Sequence, residues 1–183
     1  MLGPGKLDEA VRGERGLLPG IEACIKALCL VPSLTLIYSA IDVVSALTRP
    51  QDKPETNRTF FKDWVKAYMR DFLATTGCSD EDIYAARCGV MHTMTRSSGL
   101  SKKGSVKTLV YYWRDGPRPD STAPPALGSV QICVNDLYDA FVRGLGQFGA
   151  AKAKDSTLAE KVEYHEQELL CYRPWSSVKI RVA

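Results

Sequence analysis

Arg87 and His92, in the segment DIYAARCGVMHT, have the residue types and spacing from which a reaction could be built. A neutral histidine near pH 7 can take a proton from a ribose 2′-hydroxyl, and a guanidinium can hold the charge that develops on a phosphate. Together they suit an in-line attack within RNA that leaves a cyclic phosphate and calls for no metal. The cysteines (Cys24, Cys29, Cys78, Cys88, Cys133 and Cys171) form no CxxC pair, and no histidine stands at zinc-finger spacing from them. No metal site and no cofactor are therefore assigned.

A helix must position the pair. Ser79 followed by Asp82 resembles a capping box and opens a helix from Asp80 to about Thr95, with Gly99 expected to close it. At about 100° per residue, Ile83, Ala86, Val90 and Met94 fall on one stripe, the expected core face, with Arg87 about 40° and His92 about 180° from its centre. Residues five apart are separated by about 140°, so one regular helix does not easily aim both groups at one atom. Two copies meeting across a symmetric interface would bring them together, and so would a bend at Gly89.

A substrate polyanion needs cations. Between Arg96 and Arg118 there are six basic residues (Arg96, Lys102, Lys103, Lys107, Arg114, Arg118) against the single acid Asp115, whereas the whole chain carries a net charge of only +3. Lys102, Lys103, Lys107 and Arg114 are thus the candidate substrate-binding residues, and Tyr111, Tyr112 and Trp113 could stack on bases. The competing expectations are a solvated loop for the charges and ordinary strand packing for the aromatics.

The remaining elements read as a helical body. With 183 residues, 45% hydrophobic and 25% charged, the chain suits one ordinary globular core. Residues 1–16 show no defensible period and are expected to form a disordered or loosely docked tail ahead of one domain over 17–183. A helix is expected over Ile21–Val31. Pro32 then suits the first turn of SLTLIYSAIDVVSALT, a helix apolar nearly all round that belongs in the middle of a domain. Asp42 is its only charge and needs a partner if buried.

TFFKDWVKAYMRDFLATT predicts one long helix with an aromatic core face. VKTLVYYWR and SVQICV read as strands, expected to pair as a hairpin over about 106–134. Asn135 or Asp136 should cap a helix to about Lys152, and Asp155 or Thr157 should start a last one in which His165 is a packed histidine. The uncharged run Ala27–Ile41 is shorter than the roughly 20 residues a bilayer span needs. No membrane association is expected, and the scattered thiols with no export signal point to a cytoplasmic protein.

The segment YAARCGVMHT resembles the Arg-x4-His motif of the HEPN superfamily, in the RCGLxH version found in some bacterial HEPN-like proteins, and LTLIYSAIDVVSAL resembles the first long helix of a group of uncharacterised bacterial proteins of this size. The likeness spans residues 30–170 in element order and is close at about a dozen positions. It implies a mostly α, up-and-down HEPN-like bundle, here carrying a small β-hairpin insertion, that dimerises through its motif helices. It also implies a metal-independent endoribonuclease with Arg87 and His92 as catalytic residues. The residue after the arginine, usually Asn, Asp or His in that superfamily, is Cys88 here. The alternative is a non-catalytic HEPN-like module for RNA binding or dimerisation, and a third reading is a small-molecule enzyme with a pocket near Asp42, Tyr84 and Arg87.

Overall fold

Helices account for most of the computed structural model, which describes residues 5–53, 55–95, 105–116 and 128–170. In chain order they are α1 (Lys6–Arg12), α2 (Leu17–Lys26), α3 (Leu30–Ala46), α4 (Arg58–Tyr68), α5 (Arg70–Thr76), α6 (Asp80–Thr93), α7 (Val134–Lys152) and α8 (Ser156–Glu166), with strands β1 (Thr108–Tyr112) and β2 (Ser129–Cys133) between α6 and α7. Among the described residues no helix is long and apolar enough to cross a membrane.

The apolar helix α3 sits where its composition requires, packed against α2, α4, α6 and α7. Ile37, Tyr38, Ile41 and Val44 of α3 are fully buried and meet Phe61, Trp64 and Val65 of α4, Ile83 of α6 and Phe141 and Phe148 of α7 in one hydrophobic cluster. Two buried serines on α3 stay satisfied locally, Ser33 donating to the Cys29 carbonyl at 2.8 Å and Ser45 to the Asp42 carbonyl at 3.0 Å. Each would otherwise leave a hydroxyl unpaired in the core.

Five features differ from the sequence expectation. The helix expected over Ile21–Val31 runs instead from Leu17 to Lys26, and Leu30 and Val31 belong to α3. The stretch 59–76 is not one helix: it breaks at Met69 (φ −117°, ψ 24°) into α4 and α5. Beside the break Gly144 of α7 lies against the end of α4. A Cβ there would stand 3.0 Å from the Tyr68 carbonyl oxygen and 3.1 Å from the Trp64 ring. A side chain there would push the two helices apart by a few tenths of an ångström, so glycine favours the close approach.

The strands are not a hairpin. They pair in parallel, from Thr108 with Ser129 to Tyr112 with Cys133. Parallel pairing needs a return connection of a dozen or more residues, and the segment from 113 to 128 is long enough to supply it. Near the N-terminus, helix α1 forms where the sequence shows no clear period. Its Val11 is buried, the Leu7 amide donates to Glu166 Oε2 at 3.4 Å, and Lys6 Nζ donates to the Gln167 carbonyl at 2.6 Å.

Helix α6 ends at Thr93, before the expected boundary, because Met94 turns left-handed (φ 52°) and its side chain leaves the core stripe to become 74% exposed. Gly99, the expected terminator, lies outside the described residues, as do residues 171–183. Asp155 caps α8 through the Leu158 amide, as its sequence suggests, and His165 is buried with Nε2 3.2 Å from the Arg49 carbonyl.

Candidate functional site

Helix α6 begins as its sequence dictates. The Ser79 hydroxyl accepts from the Asp82 amide at 3.1 Å and Asp82 Oδ2 accepts from the Ser79 amide at 2.8 Å, a reciprocal cap. Asp82 is buried, and its other oxygen accepts from the Lys107 amide at 2.6 Å, tying the start of α6 to the approach to β1. Ile83, Ala86 and Val90 turn inward as expected.

Helix α6 runs antiparallel to α3. Ser39 donates to Met91 Sδ at 3.6 Å, and Asp42, further along α3, meets Arg87, nearer the start of α6. Arg87 Nε and Nη2 both reach Asp42 Oδ2, at 2.8 and 2.7 Å. The other edge of the guanidinium stays clear of the carboxylate, and Nη1 lies 3.3 Å from His92 Nε2. The two motif residues therefore meet within one chain. The wheel angle is correct for the backbone, but the long arginine side chain crosses it.

Arginine has no acceptor, so a hydrogen bond across this contact has Nη1 donating and His92 Nε2 accepting, in the tautomer that carries its proton on Nδ1. Arg87 and Asp42 are only about a quarter exposed, at 21% and 24% of their side chains, while His92 is exposed. The site opens to solvent over a half-buried ion pair.

Burial pushes the Asp42 carboxyl above its ordinary value, with the Arg87 hydrogen bond and charge opposing that rise. For Arg87 burial works against the charged form, but the hydrogen bond and charge of Asp42 outweigh it and raise the guanidinium further. Both directions follow from one carboxylate and one guanidinium sharing a partly dry space.

The exposed side of α6 continues the rim. Tyr84 packs edge-on to Phe61 with ring centroids 5.6 Å apart, and the Arg58 guanidinium lies 5.4 Å above its ring. Arg58 also pairs with Glu81, which takes Lys62 Nζ at 2.5 Å. Burial first, then the neighbouring Cys88 thiol, raises the Tyr84 phenol.

Of the candidate substrate-binding residues, Lys102 and Lys103 lie outside the described residues. Lys107 donates through Nζ to the Gly77 carbonyl at 2.7 Å, beside the start of α6. Measured along the helix from Asp82, this is about 15 Å from His92. Arg114 gives Nη2 to Asp136 and Asp139, at 2.6 Å each, near the start of α7. Its hydrogen bond to Asp136, then that to Asp139, raises the guanidinium. Neither cation is gathered around the motif. Tyr111 bonds its hydroxyl to that of Tyr38 at 2.6 Å and packs against the core, while Tyr112 and Trp113 are half-buried.

Sequence alone does not pair Asp42 with Arg87, and groups the two only as walls of a small-molecule pocket. The signal for the pairing is a lone charge on an otherwise apolar helix. Among the described residues no three His, Cys, Asp or Glu side chains gather as a metal site would need. Fold and site define a mostly helical protein with a small parallel sheet and an Asp–Arg–His cluster open to solvent. The chain matches no known family, no curated protein and no solved structure.

Proposed function

We propose that this chain is a HEPN-like, metal-independent endoribonuclease acting in the cytoplasm. The observation that carries the reading is the 3.3 Å approach of Arg87 Nη1 to His92 Nε2 with Asp42 bracing the far edge of the guanidinium. His92 takes the proton of a ribose 2′-hydroxyl as its oxygen attacks the adjacent phosphorus. Arg87 moves from the imidazole onto the phosphorane oxygens, and the bond to the 5′-oxygen breaks, that oxygen taking a proton from water or a second imidazole. The products are a 2′,3′-cyclic phosphate and a 5′-hydroxyl.

In this reading two copies pair through the exposed side of α6, so that each open site faces its mate. Sedimentation equilibrium of the purified chain should return twice the monomer mass, and a monomer across the working concentration range would remove the paired arrangement.

The experiment is cleavage of a mixed RNA panel in EDTA, with product ends analysed, run beside His92→Ala. Cyclic phosphate ends made by the parent and lost in the variant are the expected result. The Asp42 contact favours a second reading, since an arginine held by a carboxylate also serves as a strut between two helices. On that reading the chain is a non-catalytic module for RNA binding or dimerisation. A folded protein that cleaves no RNA in the panel selects it.

A further inference from the structure

Away from α6, the bend at Met69 opens a cavity of about 260 Å³ between α5 and α7, lined by Tyr68, Arg70, Asp71, Ala140, Arg143 and Gln147 among others. Gly144 lets α7 approach the end of α4 and so brings its neighbour Arg143 and, one turn on, Gln147 up to the bend. Among the described residues neither Arg70 nor Arg143 has a carboxylate partner, unlike Arg58, Arg87 and Arg114. Both arginines are exposed at the mouth of the cavity, together with Gln147.

We infer that this cavity is a binding site for a singly charged phosphate group, a phosphodiester of an RNA backbone in the first instance. Two guanidiniums face one carboxylate, Asp71, so the lining carries an excess of one positive charge. That balance suits a monoanion better than a cation or a dianion. Guanidinium forks are also the donors best matched to phosphate oxygens, and the Gln147 amide adds a neutral donor beside them.

The neighbouring helix surface leaves room for a polymer. Gly146 and Ala150 lie on the same side of α7 as Arg143 and Gln147 by helical spacing. A Cβ at Gly146 would meet nothing within 4 Å. The fold does not need glycine there, although glycine in a helix interior costs about 1 kcal/mol against alanine. A backbone passing over α7 can use the space.

The inference deepens the RNA reading and rests on it only for the polymer. The test uses a 2′-O-methyl oligoribonucleotide, which cannot be cleaved, so binding is read separately from the Arg87–His92 chemistry. Fluorescence anisotropy of the full chain across a salt series should show the double variant Arg70→Gln, Arg143→Gln binding about tenfold more weakly, with a salt slope shallower by about 0.7 for each phosphate no longer neutralised. Asp71→Asn should move affinity the other way by about twofold, which a merely unfolded variant would not do.

A parallel arm adds inorganic phosphate alone and follows thermal unfolding. Stabilisation of the parent but not the double variant, with no oligonucleotide binding, assigns the same site to a small phosphate ligand. Equal affinity and slope in parent and double variant, with no response to phosphate in either, overturns the inference.

Discussion

Arg87 and Arg114 each meet carboxylates at hydrogen-bond distance, yet their surroundings leave them with different capacities. Arg114 spends one nitrogen on two aspartates, Asp136 and Asp139, at the exposed start of α7. Two carboxylates around one guanidinium leave no positive charge to offer a phosphate. Arg87 meets a single carboxylate along one edge and points the other edge at an imidazole in an open setting. Counting basic residues along the chain favours the first region. The pairing of each guanidinium makes the second the better place for anionic chemistry.

The sharpest way to break this contrast is by activity. His92→Ala should lower RNA cleavage by at least about 100-fold, the ordinary weight of a general base. Arg114→Ala should leave the rate of cleavage essentially unchanged. A comparable loss in both variants would erase the distinction drawn between the regions.

Stability offers the next largest effect. Asp42→Ala strips the partner from a half-buried guanidinium and should cost about 2 kcal/mol in urea unfolding, less than a fully buried pair because a quarter of each side chain sees water. Asp136→Ala, which removes one of two exposed carboxylates, should barely move the unfolding midpoint. Ser79→Ala removes the hydroxyl that caps α6 and should cost about 1 kcal/mol, intermediate between them.

The smallest effect is a difference of sign with pH. Glu81 is held below its ordinary value by the Lys62 hydrogen bond first, with Arg58 contributing against the cost of burial. A lowered carboxyl stabilises the fold above its unfolded value and loses that contribution as pH falls through the folded one. Asp42 is raised by burial, so its contribution is present at low pH and is lost as pH rises through its folded value. Glu81→Gln should therefore flatten the acid limb of stability by about 0.5 kcal/mol, and Asp42→Asn should remove a penalty that grows with pH. Parallel pH profiles for the two variants would contradict the opposed shifts.

What can be read in the sequence is whatever is written locally. The apolar run of α3, the Ser79–Asp82 cap and the Asp155 cap each lie within a few residues, and each is where it was expected. The features that escape the sequence depend on partners far along the chain. Gly144 meets the end of α4 beside the break at Met69, the Leu7 amide of α1 reaches Glu166, and β1 and β2 pair in parallel with no local sign of that direction. The candidate site divides in the same way. Its residues are legible as types, including the lone charge of Asp42. That a side chain from α3 braces Arg87 while its free edge reaches His92 depends on how two helices lie against each other, which periodicity does not encode.

Asp82 joins the Ser79 amide at the start of α6 to the Lys107 amide just before β1. A single buried carboxylate holding two separate stretches of backbone should make them exchange their amide protons as one unit, opening together or not at all. Strand and helix would then be cooperative partners in native-state fluctuation, and any event that loosens the strand would be felt at the root of the helix whose other end presents His92.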